Sequence, residues 1–348
     1  MAAKPVITFT MNPAVDLFGE TQEIFDDSKS RCIQTALIPG GGGINVARNM
    51  RRMGSDTIAV FPAGGPNGNY LAQLLDDDGQ RYQAIPTAAH TRQNFAITDT
   101  SREVMHHFVF PGPALSAAEL SACREALVAN CQDMLVLSGS LPENIDPAFY
   151  AEVTDAVKQN GCKVLLDTSG KALSETLFRG AYLAKLNRKE FSSLGFDEHA
   201  PVATLKEQMI DMVERGAVDV LIVTLNRGGA LLVSKEPVSK KAVTNEPVTK
   251  EPVTKEPVTK EPVSKGADST GVNAYYFSAP KTKIISHVGA GDAFMSALAH
   301  QLNQGASLKN AFRYGVAAAY VTVQCTGNQL DDLNWLERAV KDVVEEPI

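Results

Sequence analysis

From about residue 55 to 235, short apolar runs bounded by turn residues alternate with segments of helical period. The runs Thr57–Phe61, Met134–Ser138, Val164–Asp167, Leu183–Leu186 and Val218–Thr224 read as buried strands. Between them, segments such as Ala118–Ala129 and Pro147–Lys158 carry apolar residues at helical spacing. A strand, a helix and a further strand in repetition form βαβ units, so the pattern predicts an α/β body around a mostly parallel sheet. Residues 15–37 and 92–110 differ. They alternate apolar and polar positions, with Phe95/Ile97 and Phe108/Phe110 as one-face pairs and Asp99, Ser101, Arg102 and Glu103 between them. That period of two predicts a small antiparallel sheet, separate from the body and placed over it as a lid.

Residues 235–264 break both patterns. They are six tandem pentamers, KEPVS, KKAVT, NEPVT, KEPVT, KEPVT and KEPVS, with proline in all but one. Proline removes a backbone donor and excludes helix or central strand. One valine per unit is too little to bury, so the tract reads as a solvated, polyproline-II-like insertion.

Composition narrows the function. Hydrophobic residues make up 44% of the 348, enough for a large core. The net charge of −7 argues against a general nucleic-acid or anionic-membrane partner, while leaving room for a local basic cluster that holds a phosphate. Cys32, Cys123, Cys131, Cys162 and Cys325 are scattered and form no Cys-x-x-Cys pair. The expectation is no disulfide framework, no zinc knuckle and a reducing cytoplasm. The apolar start breaks at Asn12-Pro13, short of a secretory core, and no run is long enough to span a membrane.

Two glycine-rich turns carry candidate chemistry. In His287-Val288-Gly289-Ala290-Gly291-Asp292-Ala293-Phe294, small residues lead into a helix with apolar Phe294, Met295, Leu298 and Leu302. Backbone N–H groups at such a turn converge on one spot, and the helix start adds partial positive charge, so an anion is favoured there. Asp292 reads either as a cap of that helix or as a base beside the anion hole, which suits phosphoryl transfer to a hydroxyl. The second turn is Pro39-Gly40-Gly41-Gly42-Gly43-Ile44-Asn45-Val46-Ala47-Arg48. Its glycines, Gly41 and Gly42 among them, let a ligand approach the backbone, and Asn45 offers a donor and an acceptor to sugar hydroxyls. A dinucleotide fingerprint is out of register here, and Walker A is absent. Asn187 and Glu190, at i and i+3 after a strand, can hold magnesium through water or simply begin a helix. Lys29, Arg31 and Arg92 lie in the lid segments, where three cations can clamp a phosphate.

Together these motifs resemble the ribokinase-like, or PfkB, family of sugar kinases over nearly the whole chain except the pentamers. Gly40–Arg48 looks like its first signature and Val288–Phe294 like its second. Phe61-Pro62-Ala63-Gly64-Gly65, Thr91-Arg92-Gln93-Asn94, Phe108-Val109-Phe110-Pro111-Gly112 and Ser138-Gly139-Ser140-Leu141-Pro142 resemble the 6-phosphofructokinase isozyme 2 branch. Gly42 stands where the fructose 1-phosphate and tagatose 6-phosphate branches usually have lysine.

The resemblance implies a three-layer α/β sandwich over residues 1–348 with a mostly parallel central sheet and a β lid. It also implies a cytoplasmic enzyme that uses ATP and Mg2+, often as a homodimer joined through the lids. Asp292 would be the base and Gly289, Ala290 and Gly291 the anion hole. Asp16 and Asn45 would hold the sugar, while Lys29, Arg31, Arg92 and Ser140 surround its phosphate, some of them reaching from a partner subunit. Lys185, Thr224, Asn226 and Gly229 would lie along the nucleotide, with Asn187 and Glu190 for magnesium. Some members bind K+ near Ser286–Val288 and Cys325–Gly327. The family's usual Lys-Pro-Asn is Lys185-Leu186-Asn187 here, and its Ser-Leu-Gly is Thr224-Leu225-Asn226. The reading is therefore phosphorylation of the C1 hydroxyl of fructose 6-phosphate. Tagatose 6-phosphate or fructose 1-phosphate is the near alternative, a decayed sugar-phosphate-binding protein the alternative of another class, and a Rossmann dehydrogenase the most distant.

Overall fold

The structure, a computed structural model, describes residues 4–225, 229–235, 271–325 and 330–348. In chain order its elements begin with β1 (Val6–Phe9), β2 (Ala14–Thr21), β3 (Ile33–Gly40), α1 (Gly42–Arg52), β4 (Thr57–Ala63), α2 (Gly65–Asp77) and β5 (Tyr82–Pro86). Then follow β6 (Arg92–Asp99), β7 (Val104–Phe108), α3 (Ala117–Asn130), β8 (Met134–Ser138), α4 (Phe149–Lys158), β9 (Lys163–Asp167), α5 (Gly170–Thr176) and β10 (Leu183–Asn187). The chain continues with α6 (Arg188–Ser192), α7 (Val202–Glu214), β11 (Val220–Leu225), β12 (Gly229–Ser234) and β13 (Asn273–Ser278). It ends with α8 (Ala290–Asn303), α9 (Leu308–Thr322), α10 (Leu333–Asp342) and β14 (Val344–Glu346).

A ten-stranded sheet runs β5-β4-β1-β8-β9-β10-β11-β12-β13-β14. Its strands are parallel from β5 to β11 and antiparallel from β11 to β14. The predicted runs fall on β4, β8, β9, β10 and β11, the last beginning at Val220 rather than Val218. Helices cover both faces and make three layers. Cys123 and Leu127 of α3, Tyr150 and Val153 of α4 and Met209 of α7 pack on one face. Val46 and Met50 of α1, Phe294 and Leu298 of α8, Phe312 of α9 and Leu336 of α10 pack on the other. The rings of Phe277 and Phe312 stack there with centroids 5.1 Å apart.

The chain leaves β1 toward β4 and β5 on one side, then returns to place β8 on the other. At such a reversal the loops after neighbouring strands part, and a crevice opens beyond their carboxyl ends. The second sheet has the order β3-β2-β6-β7. It is mixed, not antiparallel as expected. β2 runs parallel to β6 and antiparallel to β3, and β6 is antiparallel to β7. The reason is connectivity, because α1, β4, α2 and β5 intervene between β3 and β6, and a crossover of that length brings β6 back in the direction of β2.

The cysteine expectation needs one correction: Cys131 and Cys162 form a disulfide, with Cα atoms 6.2 Å apart. Each precedes one of the adjacent parallel strands β8 and β9, so a sheet neighbour closes a sequence gap of 31 residues. No helix among the described residues is long and apolar enough to cross a membrane.

Most of the pentamer tract, 236–264, lies outside the described residues. Its flanks do not, since Ser234 at the end of β12 pairs with Asn273 at the start of β13. A short turn can therefore join them. Replacing Lys235–Lys265 with a Gly/Ser turn is expected to leave the melting temperature and the sugar KM nearly unchanged, because loop-closure free energy varies only slowly with length. A large fall in melting temperature would show the tract to be structural.

Candidate active site

The candidate residues gather where the crevice opens. Asp292 is the third residue of α8, which starts after Gly289 in the left-handed region at φ 79°. Its Oδ2 accepts a bond of 2.8 Å from Asn45 Nδ2 on α1, so this carboxylate links two helix starts. Burial, and next the charge of Asp167, push the Asp292 pKa up to about 7, although Asn45 and Lys185 pull it down. A carboxylate with a pKa in that range can take up a proton near neutral pH.

The glycines of α1 have a packing reason. A Cβ on Gly43 would strike the Phe9 carbonyl oxygen, and one on Gly42 would meet Ser138 Oγ and the backbone of Gly139. Gly41, at φ 119°, lies against Thr10. Only hydrogen fits between the helix start and the ends of β1 and β8. Thr10 Oγ1 then accepts the Ile44 N–H at 2.8 Å, a cap supplied from β1 because Gly41 has no side chain to give.

Asp16 of β2 lies against Gly40, and its Oδ1 accepts from Asn94 Nδ2 at 2.9 Å. Burial raises its pKa, against the pull of Asn94 and of nearby His107 and Arg92. Arg92 donates to the carbonyls of Phe110 at 2.8 Å and Asn12 at 2.9 Å. Its Nε, Asn12 Oδ1 and Ser138 Oγ are buried with no hydrogen-bond partner among the described residues. Ser140 is exposed just beyond β8.

Lys29 and Arg31 do not join this group, which corrects the single-lid clamp. Arg92 stands opposite Ala14 at one end of β2, whereas the Arg31 carbonyl accepts from Thr21 at the other. At ~3.3 Å per strand residue, these ends are roughly 20 Å apart. Lys29 and Arg31 are exposed.

On the other side of Asp292, the buried Lys185 Nζ lies 2.9 Å from Oδ1 of the half-buried Asp167. A Cβ on Gly291 would stand 3.2 Å from that ammonium, so glycine keeps the turn open toward it. Asn187 and Glu190 form a capping box at the start of α6. Asn187 Oδ1 accepts the Glu190 N–H, and Glu190 Oε2 accepts the Asn187 N–H, each at 2.8 Å. Glu190 Oε1 takes no part in the box. Among the described residues no group of three or more His, Cys, Asp or Glu could hold a metal. A sparse oxygen set of this kind fits magnesium, which keeps its waters and takes phosphate oxygens as ligands. Thr224 Oγ1 donates to the Leu186 carbonyl at 3.4 Å. Gly229 opens β12, where a Cβ would crowd the Phe277 carbonyl and the Tyr276 ring. Asn226, Thr326 and Gly327 lie outside the described residues.

Reading the sequence did not single out Asp167, Asn94 or Thr10 as site residues. Asp167 had a signal, a carboxylate ending a buried apolar strand at the side where α/β ligands bind. Asn94 lies in the Thr91-Arg92-Gln93-Asn94 match, but neither it nor Thr10 shows its partner locally, because the partners are 78 and 34 residues away.

A carboxylate between two glycine-led helix starts, a lysine beside the second and a three-layer body suit phosphoryl transfer. The chain belongs to the pfkB family of carbohydrate kinases, whose pattern matches residues 6–255 and 263–335. It is 31% identical over 338 residues to ATP-dependent 6-phosphofructokinase isozyme 2 of Mycobacterium tuberculosis, covering 96% of this chain and 88% of that one. Against the isozyme 2 enzyme of Escherichia coli it is 30% identical over 327 residues, 93% and 94% of the two chains. A crystal structure of Escherichia coli phosphofructokinase-2 in complex with potassium matches with a TM-score of 0.82 at 29% identity, covering 97% and 98%. The chain is thus an ATP-dependent phosphotransferase acting on a carbohydrate, in a family that implies ATP and Mg2+.

Proposed function

We propose that the enzyme phosphorylates the C1 hydroxyl of fructose 6-phosphate to give fructose 1,6-bisphosphate. The observation that carries the reading is the 2.8 Å Asn45–Asp292 bond, which sets a half-buried carboxylate of raised pKa between the two glycine turns. Asp292 takes the hydroxyl proton, and Asn45 and Asp16 orient the sugar. The N–H groups of Gly289 to Gly291 and the Lys185 ammonium face the charge that develops in transfer. Magnesium, when bound through Glu190 and water, neutralises charge on the nucleotide's phosphates.

Arg92 is the cation nearest the sugar side, and its unpartnered Nε suits a phosphate oxygen. A Cβ on Gly42 would meet Ser138 Oγ, so the lysine of the sister branches would have to displace that side chain. The test is ATP consumption with fructose 6-phosphate, fructose 1-phosphate, tagatose 6-phosphate, tagatose 1-phosphate and fructose. The highest kcat/KM is expected for fructose 6-phosphate, and equal use of fructose would sink the phosphate clamp. Arg92→Ala is expected to raise the sugar-phosphate KM by ~10- to 100-fold, with little change in the KM for ATP. An unchanged sugar KM would remove Arg92 from the site.

The small sheet serves as a lid and joins two copies. Its outer face exposes Ile33, Phe108 and Phe110, which with Leu17, Phe95 and Ile97 line an open apolar groove. Such a face on a self-associating lid is covered by its own copy, and Lys29 and Arg31, remote from Asp16 within one chain, then reach the partner's site. Phe108→Asp is expected to turn a dimer into a monomer in sedimentation and to raise the sugar KM. A wild-type monomer with full activity would refute this. Potassium near Ser286–Val288 belongs to the same reading, and its test is activation by K+ over Na+ at fixed ionic strength.

A further inference from the structure

We propose that Asp167 is a positioning residue for phosphoryl transfer, holding the Lys185 ammonium at the Gly291 turn through their ion pair. The inference rests on the reading that transfer takes place at the turn of Gly289 to Gly291.

The geometry is specific. Asp167 is the last residue of β9, Lys185 lies on the adjacent parallel strand β10, and the two meet at 2.9 Å. Lys185 is 5% exposed, and its Nζ is the neighbour that a Cβ on Gly291 would meet. The ammonium therefore stands where the start of α8 turns its N–H groups toward an anion. A lysine side chain has several rotatable bonds, so an ammonium at a turn needs a partner that fixes its place. Asp167 supplies that partner, with its Oδ1 2.9 Å from Lys185 Nζ. Asp167 acts through this neighbour, to which its carboxylate is paired. It has a second effect in the same place, because its charge is the largest after burial in raising the pKa of Asp292. The other groups facing Asp292 are Asn45 on α1, Lys185 on β10 and Asp16 on β2.

A residue that only neutralised Lys185 for folding would leave the chemistry of the folded enzyme alone, and kinetics separates the two roles. The full chain is compared as wild type, Asp167→Asn, Asp167→Glu, Lys185→Met and Asp167→Asn/Lys185→Met, with ATP and fructose 6-phosphate. Binding of fructose 6-phosphate alone is followed by calorimetry. Asp167→Asn is expected to lower kcat by ~10-fold or more through a displaced group, with binding of fructose 6-phosphate unchanged. Its acid limb of log kcat against pH is expected to move to lower pH, since removing a neighbouring negative charge lets the Asp292 carboxyl ionise more readily. Asp167→Glu is expected to recover part of the rate. The double variant is expected to have the kcat of Lys185→Met, because nothing is left to position.

A folded Asp167→Asn enzyme with wild-type kcat and an unmoved acid limb overturns the proposal. So does a double variant slower than Lys185→Met by the whole factor lost in Asp167→Asn. If Asp167→Asn does not fold, the double variant, which removes both charges together, decides alone: a kcat equal to that of Lys185→Met supports the proposal, and one lower by ~10-fold or more overturns it. A fully active Asp292→Asn would instead refute the base, whereas a normal Asp167→Asn beside an inactive Asp292→Asn refutes only the positioning role.

Discussion

Asp292→Asn is expected to fold, to bind the sugar phosphate and to turn over ~10²-fold more slowly or worse, the range for loss of a general base. The carboxylate is half-buried, bonded to Asn45 at 2.8 Å and raised to a pKa of about 7. A base must be ionised, so wild-type kcat is expected to fall as the pH drops below about 7, along a limb absent from the Asn variant. Stability should show the opposite sign. A carboxyl whose folded pKa lies above its unfolded value contributes stability that is complete below the unfolded pKa and is lost as pH rises through the folded one. Asparagine carries no charge at either pH. The variant is therefore expected to melt higher than wild type at pH 8, by about 4 kcal/mol at most, and the gain should shrink at pH 5. Paired melting and turnover measurements at both pH values check this. Near-normal turnover in a folded variant would remove Asp292 from the chemistry.

Gly43→Ala is expected to lose both stability and turnover. The new Cβ would stand 2.6 Å from the Phe9 carbonyl carbon and 2.8 Å from Thr10 Oγ1, with the Phe9 oxygen nearer still. Those are backbone and cap atoms at the end of β1 and have little freedom to move. The start of α1 must lift away, which breaks the Ile44–Thr10 bond and draws Asn45 off Asp292. Overpacking of this kind costs ~1–3 kcal/mol, and misplacing a catalytic group slightly can cost ~10²-fold in rate. A Gly43→Ala protein with the melting temperature and kcat of wild type would show that α1 is not held against β1.

The parallel body was legible because the middles of its strands are buried on both faces and read as apolar runs, as in Leu135–Leu137 and Val220–Val223. The antiparallel end of the sheet was not, because β13 keeps partly exposed polar and aromatic positions with no clear period. The two glycine turns stood out since backbone approach requires glycine there, and that requirement is local. The magnesium motif was legible as spacing, yet the same spacing is a capping box, and sequence does not separate the two.

The sequence by itself determined the α/β class, the two helix starts and the residue types that meet there, because propensity, periodicity and close backbone approach act over a few neighbouring residues. Only the tertiary structure decided that Asp292 reaches Asn45 rather than its own helix start and that Asp167 stands against Lys185. It also decided that Arg92 and Arg31 lie at opposite ends of one sheet and that Cys131 meets Cys162. Each of these depends on which strands are neighbours and in which direction they run. That order follows from burying the two faces of the whole sheet together, and no single segment of the chain carries it.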